Sequence, residues 1–161
     1  MIAQVDISRL TPAALMRGED EEETAGLRQL LDEATAYLKR FNWYRGIREA
    51  YPGIGVAKIL GVFLFEVVPA RDRVDDKVWV IVGDLPPAYI TTEESPNPAT
   101  ALDSYIGAME DWVEAASEGR SVAGLIPGNV PPTAENAACL ASRLRFLDEK
   151  ILPDYADDLQ D

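Results

Sequence analysis

The chain of 161 residues contains no histidine. That absence removes the Ser-His-Asp and Cys-His catalytic arrangements, His-ligated zinc or iron, and the side chain that most often acts as a general base near neutral pH. A single cysteine, Cys139, makes an intrachain disulfide impossible. It sits in an apolar helical pattern between Ala138 and Leu140, so a buried, inert thiol is expected. Activating it would need a nearby cation, and Arg143 lies four residues on. No apolar run is long enough to span a bilayer. The longest, 54–68, is interrupted by Lys58 and Glu66. Residues 1–6 lack the basic start and apolar stretch of a signal peptide, and the cytoplasm is the expected compartment. Basic residues are scarce too. Lys and Arg number 15 against 28 Asp and Glu, a formal net charge of -13. Such a surface repels phosphate backbones and anionic lipid, so neither nucleic acid nor a membrane is expected as a partner. Excess acid keeps a small protein soluble, and it also attracts a basic protein.

What the chain does have is an ordinary globular composition, 47% hydrophobic and 27% charged. At this length one domain is expected, and folding buries roughly 70% of the unfolded surface without a metal or disulfide staple. Thr11-Pro12 opens a short helical turn that Gly18 closes. The acids from Glu19 to Glu23 follow, placed where negative charge meets the positive end of the next helix. Leu27, Leu30, Leu31, Ala34, Tyr37, Leu38 and Phe41 recur at three- and four-residue steps, which predicts a helix over 22–41. Residues 1–21 form an acidic, partly irregular leading segment within the single domain.

The periodicity then shortens. Residues 43–51 read as a first, irregular strand and Pro52-Gly53 as a turn. Strands are expected over 57–68, 77–82 and 88–92, joined by a polar turn over 69–76 and by Gly83-Asp84-Leu85-Pro86-Pro87. The strand at 77–82 is apolar on both faces and so central. Asn97-Pro98 opens a second long helix with the stripe Leu102, Tyr105, Ile106, Met109, Trp112, Val113 and Ala116, ended by Gly119. After a Gly- and Pro-containing loop over 121–132, Thr133 caps a last helix whose Ala137, Leu140, Ala141, Leu144, Leu147 and Ile151 face inward. Pro153 stops it, and 154–161 is an acidic, frayed tail. Strands grouped between helices argue for an α+β fold. The picture is a small antiparallel meander of three to four strands with two or three long helices packed on one face.

Four residues stand out as ligand-binding candidates. Glu66 shares a strand face with Val62, Leu64 and Val68, where a covered carboxylate needs a cation. Arg143 and Arg145 are the available partners, and an ion pair there is the structural alternative to a polar group in a cleft. Asp84 reads as a turn former bonding nearby backbone N–H groups. Tyr89 and Arg143 complete a cleft between sheet and helices. The isomers of Pro86 and Pro87 stay open. Asp103, Glu110 and Glu114 share the polar side of the second helix, where a solvated face explains them better than a Mg²⁺ or glycosidase pair. Gly53, Gly55 and Gly61 lack the lysine and following helix of a phosphate loop. Trp43, Trp79 and Trp112 read as core anchors, unless Trp43 is exposed on a binding surface. No cofactor and no metal is expected.

Val62-Phe63-Leu64-Phe65-Glu66 and Val78-Trp79-Val80-Ile81-Val82-Gly83-Asp84-Leu85-Pro86-Pro87-Ala88-Tyr89 resemble an uncharacterised family of small bacterial proteins. Asp111-Trp112-Val113-Glu114, Ile126-Pro127-Gly128-Asn129-Val130-Pro131-Pro132 and Ser142-Arg143-Leu144-Arg145-Phe146-Leu147 are similar to the same family. The resemblance spans about 53–153, implies a bacterial cytoplasmic domain, and carries no catalytic assignment. Three function classes follow from the residues. The first is a non-enzymatic protein-interaction domain, immunity- or inhibitor-type, whose acid face meets a basic partner or which pairs with a second copy of itself. The second is a small-molecule-binding or hydrolytic protein with its cleft at Glu66, Tyr89 and Arg143. The third is DNA mimicry, which requires acids spaced like phosphates along one surface.

Overall fold

The structure, a computed structural model, describes residues 11–68, 76–93, 95–126, 128 and 130–155. The readings made for residues 1–10, for the turn at 69–75, for Pro127 and Asn129, and for the tail including Asp157 and Asp158 lie outside it. A 3₁₀ turn at Ala13–Leu15 precedes α1 (Glu21–Leu38). Four strands follow: β1 (Ile47–Val56), β2 (Leu60–Val67), β3 (Lys77–Gly83) and β4 (Ala88–Thr91). Helices α2 (Pro98–Ser117) and α3 (Ala134–Phe146) complete the order, and α3 runs on into a π turn at Leu147–Ile151. The strands pair antiparallel in the order β1-β2-β3-β4, a plain meander in an α+β fold, as expected.

The helix starts follow their caps. Asp20 accepts the Glu23 N–H at 2.8 Å, and Glu21, Glu22 and Glu23 fill the first turn of α1. The acid run therefore lies against the positive end of a helix, where each charge contributes a few tenths of a kcal/mol. Asn97 and Thr100 exchange hydrogen bonds in a capping box at α2, behind Pro98 at the first helical position.

The helices do not share one face of the sheet, which corrects the expectation above. Leu27, Leu30, Ala34 and Leu38 of α1 pack on Phe63, Phe65, Val67, Val78, Val80 and Val82. Leu102, Tyr105, Ile106, Met109 and Trp112 of α2 pack on Ile54, Val62, Leu64, Trp79 and Ile81 on the opposite face. Ala137, Leu140 and Leu144 of α3 join that second cluster. The reason lies in β2 and β3. Successive side chains point to opposite faces, and in both strands both sets are apolar, so a layer on one side alone would leave the other set in water. Each such side chain contributes about 1.5–3 kcal/mol when fully buried, and Val62, Phe63, Leu64, Phe65, Val78, Trp79, Val80 and Ile81 are all inaccessible to solvent.

The first hairpin also differs from expectation. Pro52-Gly53 is not a turn but an irregularity inside β1, at the register shift between Pro52 and Ile54. β1 is an edge strand, where a residue without an N–H is tolerated. The reversal falls at 57–59, with Lys58 at φ 69°. Beside that reversal, Gly83 closes β3 at φ 140°. A Cβ there would run into the carbonyl oxygen of Ile59, which itself accepts the Asp84 N–H at 3.1 Å. Gly83→Ala is expected to destabilise the fold by about 2–4 kcal/mol, from backbone strain plus displacement of that hydrogen bond. Urea unfolding measures it, and a change within about 0.5 kcal/mol would contradict this geometry.

Candidate functional site

The segment 84–89, which spans the β3–β4 connection and the first two residues of β4, meets all three helices. Arg143 Nε on α3 donates to Asp84 Oδ2 at 3.3 Å. The Tyr105 hydroxyl on α2 donates to the Pro86 carbonyl oxygen at 2.6 Å. From the opposite face, the Tyr37 hydroxyl on α1 meets the backbone of Tyr89. Burial, then the neighbouring Tyr89 phenol, pushes the Tyr37 hydroxyl up to about 12, against the opposing pull of Arg40 and that backbone contact. Burial likewise drives Tyr105 upward. No peptide bond among the described residues is cis, so Pro86 and Pro87 stand as trans prolines.

The rings beyond this connection form one cluster. Phe41 and Trp43 stack with centroids 5.3 Å apart and an interplanar angle of 19°. Tyr89 meets Phe41 and Trp43 edge-on at 5.0 and 5.5 Å, and Tyr37 meets Phe41 edge-on at 5.1 Å. Contacts of this kind add about 0.5–1.5 kcal/mol each beyond area burial. Trp43 is half-buried rather than a core anchor, whereas Trp79 and Trp112 are buried.

This cluster borders a groove. A depression of about 590 Å³ is lined by Tyr37, Arg40, Phe41, Pro87, Ala88, Tyr89 and Ile126. A second, of about 350 Å³, shares Tyr37, Arg40 and Pro87 with it and adds Glu33, Ala36, Val82, Gly83 and Leu85. A third, of about 240 Å³, shares Glu33 and Gly83 with the second and reaches Gly26, Gln29, Lys58 and Asp84. Together they make a trough beside α1 from Gly26 to Arg40, about 20 Å long at the helical rise. Its chemistry is graded, with rings and Pro87 at one end and Glu33, Gln29 and Lys58 at the other. The guanidinium of Arg40 lies 5.8 Å from the centre of the Tyr37 ring.

Of the four residues singled out by sequence, the trough takes Asp84 and Tyr89, at opposite ends. Asp84 does not act as a self-bonded turn former. Its carboxylate accepts from Arg143, and both side chains are about half or more exposed, at 70% and 48%. Glu66 lies at the far end of β2, opposite Lys77 in the register. It pairs with neither Arg143 nor Arg145. The Tyr51 hydroxyl donates to Glu66 Oε1 at 2.9 Å instead, because the β1–β2 register sets Tyr51 within two positions of Glu66. Glu66 faces the α2 side and Tyr89 the α1 side, so one cleft holding Glu66, Tyr89 and Arg143 does not form. The space between sheet and α2 is filled by Trp79, Tyr105, Met109 and Trp112. Tyr37, Arg40, Phe41 and Pro87 were absent from the sequence candidates. Their signal was the density of rings at the end of the first helical stripe, which periodicity counts simply as core.

Other clusters are more modest. Asp103, Glu110 and Glu114 are exposed on α2, and Glu114 pairs with Arg120 at 3.4 Å. Glu110, Glu114, Asp148 and Glu149 border a shallow depression of about 450 Å³ between α2 and the end of α3, with Arg145 among them. No group of three His, Cys, Asp or Glu side chains among the described residues is placed to hold a metal ion. Cys139 is exposed, not buried as expected, because it falls between the inward positions Ala137 and Leu140. No helix among the described residues is long and apolar enough to cross a membrane. Compared with protein families, curated proteins and solved structures, the chain matches none.

Two titrations test this geometry. The Tyr51 phenol is raised first by its hydrogen bond to Glu66, then by burial and the charges of Glu66 and Glu49. Glu66→Ala should bring Tyr51 back down toward 10.0, read by phenolate absorbance, with little change in stability; an unmoved Tyr51 would contradict the pairing. For Tyr37, the folded value of about 12 exceeds the ordinary 10.0. Its contribution to stability is therefore intact below pH 10.0 and lost as pH rises to about 12. Tyr37→Phe should flatten the alkaline loss over that window, and an unchanged slope would count against burial of the hydroxyl.

Proposed function

We propose that this protein is a non-enzymatic protein-interaction domain that takes an extended segment of a basic partner along the trough beside α1. The observation that carries the reading is the shape of that trough. Three adjoining depressions run about 20 Å along one helix, a span that suits about six extended residues better than a compact substrate. The long-range field of a chain with net charge -13 favours a basic partner. An immunity- or inhibitor-type protein meeting a basic toxin is one concrete form of this reading, and the resemblance to small bacterial proteins suits a bacterial cytoplasmic setting for it.

A second reading is favoured by one observation. The ring-lined end alone, at about 590 Å³, falls within the usual size of small-molecule pockets. Ala36 separates the two. It is an exposed helix position lining the middle depression but not the ring-lined one. Arginine there is a good helix former and fills the trough midway without disturbing the core. Peptides selected from an unbiased display library on the native protein should lose about tenfold or more in affinity for Ala36→Arg, and should weaken with added salt. Peptides that ignore Ala36→Arg, or bind independently of salt, would overturn the docking reading. A compound bound regardless of Ala36→Arg but lost with Tyr89→Leu would establish the second.

A further inference from the structure

The ring-lined depression differs in charge from the two beside it. Tyr37, Phe41, Pro87, Ala88, Tyr89 and Ile126 line its volume of about 590 Å³ together with Arg40, the one charged side chain on that wall among the described residues. Glu33 and Lys58 border the smaller depressions and not this one. The Arg40 guanidinium stands 5.8 Å from the centre of the Tyr37 ring, an attraction that holds it beside the rings. It forms no salt bridge among the described residues.

The chain around Arg40 reverses the overall sign. No acid lies between Glu33 and Glu49, whereas Lys39, Arg40, Arg45 and Arg48 all do, four of the 15 bases. All four are exposed, and none is in a salt bridge among the described residues. Arg45 Nη1 donates to the carbonyl oxygens of Asn42 and Tyr44 at 2.8 and 3.0 Å, which keeps it on the turn that carries Phe41 and Trp43. Glu33 is seven helical positions before Arg40, about 10 Å along the axis, beyond the roughly 8 Å over which exposed charges act in physiological salt. The local field at the rings is therefore set by bases.

A guanidinium presents a planar fork that matches the two oxygens of a carboxylate. Apart from the phenols of Tyr37 and Tyr89 the other lining side chains are apolar, and the Tyr37 hydroxyl already meets the backbone of Tyr89. A sugar or a nucleotide would leave most of its polar atoms unpaired against such a wall. An apolar body would not.

We propose that the ring-lined depression binds a small monocarboxylate with an apolar aryl or alkyl body, the carboxylate on Arg40 and the body against Phe41, Tyr89, Pro87 and Ile126. This rests on the reading of that end as a small-molecule pocket and adds its ligand class.

The test uses the full chain with naphthalene-2-carboxylate and decanoate, each beside its neutral amide, and with naphthalen-2-ylmethylamine as a cation of similar shape. Backbone amide NMR locates binding and titration ranks it. The carboxylates should shift residues 37–43, 88, 89 and 126, and the tighter of the two identifies an aryl or an alkyl body. Each amide should bind about three- to tenfold more weakly than its acid. Arg40→Gln should remove that difference, and Arg40→Glu should transfer the preference to the amine. Lys58→Gln makes the same change in net charge at the far end of the trough and should leave binding unaltered. Tyr89→Leu should weaken both acids about fivefold. Arg40 is exposed, so its variants leave the fold in place and keep the test decisive if the ring variant unfolds. Amides that match their acids, or a loss with Lys58→Gln equal to that with Arg40→Gln, overturn the carboxylate assignment and leave the pocket standing. No shift at the ring-lined end with any of the five compounds overturns the pocket as well.

Discussion

Burial of β2 and β3 on both faces is the constraint on which the rest depends. Two neighbouring strands whose alternating side chains are apolar in both directions cannot be satisfied by one layer of helices. Phe63, Phe65, Val78 and Val80 require α1, while Val62, Leu64, Trp79 and Ile81 require α2. The sheet is sandwiched as a result. Ser95 is buried where its carbonyl oxygen accepts the Trp79 indole N–H at 2.7 Å. That bond lets the largest ring of β3 enter the α2 side without an unmet donor.

The trough follows from that sandwich. β4 has only four residues, so the edge of the sheet ends while α1 and the turn after it continue alongside. Ile126, from the connection between α2 and α3, supplies the far wall of the ring-lined end. The segment 84–89 is tied to α2 by the Tyr105 hydroxyl on the Pro86 carbonyl oxygen, and it is flanked by the exposed Asp84–Arg143 pair and by the contact of Tyr89 with Tyr37. A surface pre-organised in this way loses less on binding than a loop that must first be ordered. The hydroxyls of Tyr37 and Tyr105 thus meet the end of the sheet from its two helical layers, and their burial raises both above the ordinary phenol value.

Much of the architecture is legible in the sequence. The stripe from Leu102 to Ala116 placed α2 within a residue or two, Asn97-Pro98 marked its start, and the acid run before α1 proved to be its first-turn charge. The failures share a cause. Pro52-Gly53 looks like a turn because local chemistry favours one, yet pairing along β2 holds both residues in an edge strand. Cys139 looks buried because its immediate neighbours are apolar, yet helical phase turns it outward. Glu66 looks like a partner for distant arginines because opposite charge is visible in a sequence, whereas the Tyr51 hydroxyl that meets it is brought there only by strand register.

The amino-acid sequence by itself determined the number and kind of elements, the central place of 77–82 and the sign of the surface field. These depend on side-chain periodicity and on a charge count, both of which are properties of the chain read in order. Only the tertiary structure decided that the helices lie on both sides of the sheet, that Glu66 and Tyr89 face opposite layers, and that Tyr37, Phe41 and Tyr89 converge beside Pro87. Those facts depend on contacts between residues dozens of positions apart, where the register of one strand against the next and the path of a helix across a sheet choose the neighbours.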